Sequence, residues 1–107
     1  HYAPDVKCLL IYSENNDKFV SKVHEFESNY NILVVCTEEN FNKFKNAISM
    51  GSSLEEISHN IFHILRKLDK TNYDLVIVEG VKKKGLGVAI MNRLIRACSY
   101  NYIYIKK

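Results

Sequence analysis

Apolar residues along this 107-residue chain follow two rhythms, and their alternation predicts the architecture. Three runs are continuously apolar: CLLIY at 8–12, ILVVC at 32–36 and the centre of DLVIVEG at 74–80. A strand apolar on both faces has both faces covered, which is the pattern of a parallel sheet between helices. The intervening stretches carry the helical period. In 14–29, Phe19, Val20, Val23 and Phe26 form one stripe with Lys22, Glu25 and Glu27 off it, as on a surface helix packed against a sheet. EENFNKFK at 38–45 predicts a short helix seated on Phe41 and Phe44, and NAISMG after it a weaker strand ending at Gly51. Ser53 and Glu56 have capping-box spacing ahead of Leu54, Ile57, Ile61, Leu65 and Leu68, the clearest helix in the chain. Residues 86–98 read as one more helix and YIYI at 102–105 as a last strand. The expected fold class is α/β, a Rossmann-like three-layer sandwich on a mainly parallel sheet of about five strands with four helices.

Length and composition narrow this further. A chain of this size makes one domain with one real core. With 47% hydrophobic and 25% charged residues, nothing suggests disorder or a fibrous repeat. No run approaches the roughly 20 apolar residues that cross a bilayer, so no membrane partner is expected and the chain reads as soluble and cytoplasmic. Cys8, Cys36 and Cys98 lie among aliphatic residues without paired spacing, as small core hydrophobes do. The first 50 residues hold five Lys/Arg against seven Asp/Glu, and the remainder ten against five. The second half is thus modestly biased towards an anionic partner, far less than a dedicated nucleic-acid binder would be. The opening HYAPDVK lacks a methionine and precedes any strand signal, as expected for a piece of something longer.

Candidate chemistry centres on KKKGLGVAIMNRLIRAC at 82–98. Gly85-Leu86-Gly87 follows a buried strand and opens a helix, where α/β sheets bind anions. Ile90 stands where a dinucleotide fingerprint needs its third glycine, and no Gly-Lys-Ser/Thr is present. Two readings stay open: a nucleotide loop, or glycines at Gly85 and Gly87 that permit a turn and close helix packing. Lys82, Lys83 and Lys84, with Arg93 and Arg96, form either an anion site or a solvated loop with cations along the helix. On a helical wheel Asn92, Arg96 and Ser99 make a narrow polar ridge, so most of this helix is expected to be buried. His59 and His63 are one turn apart without a third ligand, so no metal is expected. Arg66 and Asp69 are spaced to pair on a helix flank, as at an interface. The residue order assembles no catalytic triad, carboxylate pair or activated cysteine.

Three segments together resemble the C-terminal domain of the long, two-domain threonylcarbamoyl-AMP synthases, a family once labelled as translation factors: HYAP at 1–4, NIFHILRKLD at 60–69 and KGLGVAIMNRLIRA at 84–97. The resemblance implies residues 1–6 as the end of an interdomain linker and 7–107 as one Rossmann-like accessory domain. Such enzymes make threonylcarbamoyl-adenylate from L-threonine, bicarbonate and ATP for the threonylcarbamoyladenosine modification of tRNA, a transferase reaction. Their chemistry belongs to an N-terminal YrdC-like domain, the implied partner in cis, which this chain lacks. By that resemblance this domain is non-catalytic and regulatory. ATP and Mg belong to the absent catalytic domain, and no cofactor is expected here. His1, Tyr2 and Pro4 correspond to a linker lying over the catalytic cleft, and Arg66 and Asp69 to an interdomain contact. RNA binding or nucleotide binding through Lys82–Lys84 and Gly85-Leu86-Gly87, with tRNA as the candidate partner, is the alternative.

Overall fold

The computed structural model describes residues 7–68 and 72–107. Five strands form a single sheet: β1 (Cys8–Ser13), β2 (Ile32–Cys36), β3 (Ala47–Ser49), β4 (Leu75–Glu79) and β5 (Tyr102–Ile105). Their order is β3-β2-β4-β1-β5 and every pairing is parallel. Among the described residues three helices join them, α1 (Asn16–Asn29), α2 (Leu54–Lys67) and α3 (Leu86–Ala97). Where a fourth helix was expected, only Phe41–Lys43 winds, as a 3-10 turn. Its surroundings explain this, because Asn40 is fully buried by other bonds and Phe44 is already extended.

The continuous apolar runs are explained residue by residue. Along β2, Ile32, Val34 and Cys36 enter one core with Phe19 and Val23 of α1 and Phe44. Leu33 and Val35 enter the other, with Ile57, Ile61 and Leu65 of α2 and Ile90, Met91 and Leu94 of α3. At about 1.5–3 kcal/mol per large side chain removed from water, these two cores hold the layers together. Sequence-local caps set the helix starts. The Asn15 side chain accepts from the Lys18 amide, and Ser53 and Glu56 make the expected capping box.

Helix α3 departs from expectation. Only Gly87, Ile90, Met91, Leu94 and Ala97 are buried, while Leu86, Val88 and Ala89 are exposed along with Asn92, Arg93 and Arg96. The helix lies across β1 and against α2 as an outer layer, and about half its circumference is exposed among the described residues. It ends in a turn in which Ser99 and Tyr100 both have positive φ, 54° and 64°, a region where non-glycine residues are uncommon.

Candidate functional site

In open α/β sheets ligands bind beyond the carboxyl ends of the strands, where successive connections diverge. Here that place lies between β2 and β4. From β2 the chain moves to the β3 edge on the α1 face, whereas from β4 it moves through α3 to the β5 edge on the opposite face. The basic glycine loop, 80–87, leaves from this point.

The geometry of the loop bears on the question left open by its sequence. The Lys84 amide donates to the Lys82 carbonyl at 2.8 Å and the Gly87 amide to the Lys84 carbonyl at 3.0 Å. Two amides that a phosphate would need are already bonded within the loop. Gly85 takes φ +59°, a turn conformation that a side chain disfavours. At Gly87 a Cβ would lie 2.0 Å from the Lys82 carbonyl oxygen, so this glycine lets the loop backbone press on the helix. The pair makes a tight strand-to-helix turn.

Two cations of this stretch lie over different aromatic rings. Lys82, Lys83 and Lys84 are exposed, and the Lys83 ammonium lies 5.8 Å from the centroid of the Tyr102 ring on β5. The Arg93 guanidinium sits 3.7 Å from the Phe62 ring centroid on α2, a cation–π contact between helices. Arg93 is thus engaged in packing. Arg93→Ala should cost about 1 kcal/mol in urea unfolding, with a loss no smaller in 1 M salt; a loss screened away by salt would point to an ion pair. Asn92 and Arg96 are exposed on α3. Among the described residues the only ion pairs are Lys22 with Glu25 and His24 with Glu27. Lys82, Lys83, Lys84, Arg93 and Arg96 therefore have no carboxylate within ion-pair distance there.

Other candidates are dispersed. His59 and His63 are both exposed, and among the described residues no three His, Cys, Asp or Glu side chains are grouped to hold a metal. His63 borders a hollow of about 610 Å³ at the β3 edge with Lys45, Ile48, Ile64, Lys67 and Tyr73. Arg66 is exposed in the last turn of α2; its suggested partner Asp69 lies outside the described residues, as do His1, Tyr2 and Pro4. Cys8, Cys36 and Cys98 are all buried. Burial, with Glu79 and Glu38 nearby, pushes the Cys36 thiol up to about 12, the opposite of an activated nucleophile.

Sequence reasoning missed the most organised polar cluster, which lies at the same divergence point. Asn40, the one buried polar residue among those described, exchanges two side-chain hydrogen bonds with Asn16, each 2.9 Å. It also donates to Glu79 Oε1 at 3.1 Å. The Thr37 amide and hydroxyl donate to that same oxygen at 2.9 and 3.1 Å. Burial raises the Glu79 carboxyl above its usual range against the opposing pull of these three donors. The cluster ties the carboxyl ends of β1, β2 and β4 together around a carboxyl group whose proton affinity burial raises. The available signal was a glutamate closing an otherwise apolar strand, in DLVIVEG.

No helix among the described residues is long and apolar enough to cross a membrane. Residues 1–99 match the family described as threonylcarbamoyl-AMP synthase, C-terminal domain. The chain is 33% identical over 109 residues to the threonylcarbamoyl-AMP synthase of Pyrococcus abyssi, covering 98% of this chain and 32% of the relative. It is 37% identical over 112 residues to that of Schizosaccharomyces pombe, covering 92% and 28%. It thus spans about a third of the length of these relatives. The crystal structure of P. abyssi Sua5 complexed with L-threonine superimposes with a TM-score of 0.80 at 31% identity, over 98% of this chain and 32% of that one. The C-terminal Sua5 domain of Pyrococcus horikoshii, solved by itself, matches with a TM-score of 0.66 at 33% identity, over 98% of this chain and 100% of that one. A five-stranded parallel sheet, its three helices and this end-to-end correspondence place the chain in one family: it belongs to the C-terminal domains of the threonylcarbamoyl-AMP synthases.

Proposed function

We propose that this chain is the non-catalytic accessory domain of a two-domain threonylcarbamoyl-AMP synthase, serving to hold and regulate a YrdC-like catalytic domain that precedes it. The observation that carries this reading is one of extent. The chain corresponds to the whole of a C-terminal domain solved alone, yet to only about a third of the P. abyssi enzyme. The turn at 82–87 supports it, because a loop that spends its own amides on itself is a poor phosphate cradle; this weighs against the nucleotide-binding alternative. ATP and Mg then belong to the catalytic domain, and residues 1–6 are the end of the linker between the two. His1 and Tyr2 form an adjacent pair, and the P. abyssi variant whose structure is known has a histidine and a tyrosine together replaced by alanine. A flap over the catalytic cleft is a role such a pair suits, offering stacking area and hydrogen-bond donors.

The test is pyrophosphate release from ATP in the presence of L-threonine and bicarbonate. The 107-residue chain alone should release none above the buffer rate, while a chain carrying both domains does so. Threonine-dependent release by the isolated domain would overturn the accessory reading.

A further inference from the structure

Five large apolar side chains are exposed among the described residues, and four of them lie between positions 86 and 104. Scattered singly they would need no explanation; here they follow one edge of the molecule. Leu86 and Val88, 39% and 43% exposed, occupy the first turn of α3. Tyr100, 71% exposed, stands in the turn from α3 to β5, and Tyr104, 47% exposed, on β5 itself. The edge is continuous. Tyr104 stacks on Tyr12 of β1 at 6.1 Å, and Tyr12 lies against Gly80 at the base of the α3 loop. Lys83 reaches from that loop to the Tyr102 ring. Around this apolar and aromatic strip stand Lys82, Lys84 and Arg96, exposed and without carboxylate partners among the described residues, together with one exposed carboxylate, Glu14, which accepts from the Tyr104 hydroxyl. An apolar, tyrosine-rich centre with a polar, mainly cationic border has the anatomy of a protein interface.

We propose that this edge, formed by α3 and β5, is where the domain preceding this one in the two-domain relatives docks, and that the docking domain offers apolar surface bordered by carboxylates. The proposal rests on the accessory-domain reading above. Two observations select that occupant. The first is where the chain begins its described course. Cys8 starts β1 next to β5, and its carbonyl accepts from the Asn101 side chain at 3.5 Å. A preceding domain is therefore tethered at the foot of this edge, beside Tyr100. The second is charge, since Lys82, Lys84 and Arg96 stand at the edge against the single carboxylate of Glu14, while helix α1 carries Asp17, Glu25 and Glu27 against Lys18 and Lys22. A partner with an acidic border is attracted to the first face more than the second.

The turn at Ser99 and Tyr100 adds an independent sign. Two successive non-glycine residues with positive φ cost folding energy, and the second of them projects the most exposed of these four side chains. A glycine would close the helix more cheaply, so Tyr100 fits a position kept for contact.

Amide hydrogen exchange compared between the isolated domain and a chain carrying both domains tests this. Amides of 86–92 and 100–105 should exchange at least about tenfold more slowly in the two-domain chain. Val88→Glu, at an exposed position, should abolish that protection while leaving the melting temperature of the isolated domain unchanged. Protection confined to the α1 face, or no difference anywhere, would overturn the proposal. Protection of these amides by added tRNA but not by the second domain would overturn it as well and point to RNA as the occupant. The pyrophosphate assay decides the accessory reading separately: an inactive fragment with an unprotected edge would sink only the docking surface.

Discussion

Gly87→Ala should be the most damaging single-methyl change in the domain, lowering the melting temperature by about 10 °C or more. Two effects favour the substitution. Alanine is about 1 kcal/mol the better helix former, and it restricts the unfolded chain by a further fraction of that. Against them stands a Cβ placed 2.0 Å from the Lys82 carbonyl oxygen, where real contacts essentially never fall below 3.0 Å. That oxygen belongs to backbone and accepts from the Lys84 amide, so no flexible side chain can yield. Relief requires moving the loop off the helix, an overpacking cost of about 3 kcal/mol or more. At roughly 4–8 °C per kcal/mol for a domain of this size, the clash exceeds the gains. Gly85→Ala separates the two glycine roles. Nothing lies within 4 Å of its Cβ, but φ is +59°, so a loss of about 1–2 kcal/mol is expected from backbone strain alone. A Gly87→Ala melt within two or three degrees of the parent would show that the loop is not pressed on the helix as described.

The second large effect is expected at the polar cluster. Asn40→Ala removes an amide that serves Asn16 and Glu79 together, leaving half-buried polar groups on both partners unsatisfied, towards the lower end of about 1–3 kcal/mol each. A total near 3 kcal/mol should appear as a lower urea midpoint with an unchanged slope. Glu79→Gln isolates the proton. Because burial raises the folded-state value of Glu79 above its unfolded one, the folded chain binds a proton the unfolded chain has released. The stabilisation from protonated Glu79 is complete below the unfolded carboxylate value and is lost as pH rises through the folded value. Glutamine carries no such dependence. The stability of Glu79→Gln relative to the parent should therefore fall as pH is lowered from neutral into the carboxylate range. A relative stability that rose instead as pH was lowered would mean that Glu79 is held ionised.

Hydrophobic pattern made the layers legible because three of the strands are buried on both faces and cannot alternate. ILVVC and YIYI coincide with β2 and β5, and the stripe of Ile57, Ile61 and Leu65 with the buried face of α2. Pattern was weaker where tertiary bonds decide. The stretch 38–45 has helical spacing, but the Asn40 side chain is bound to Asn16 and Glu79, and only a single 3-10 turn remains. Apolar content misled at α3, since Leu86, Val88 and Ala89 read as core but point away from it. A sequence records that a residue is apolar, not whether its covering surface belongs to the same domain. The cluster of Asn16, Thr37, Asn40 and Glu79 was out of reach because it assembles only when β2, β4 and β1 lie side by side. The stacking of Arg93 on Phe62 likewise needs the packing of α3 on α2.

The strand order has a consequence for how the domain comes into being. β1 is made first, yet its two neighbours, β4 and β5, are made last. A growing chain can pair β2 with β3 early, but Leu10 and Ile11 find no partner strand until residues near 78 and 103 have emerged. Contacts this distant along the chain are slow to form, because loop closure is paid for before the sheet rewards it. Loss of YIYI would strip one side of the first strand, so the two ends of the described sheet depend on each other for their hydrogen bonds.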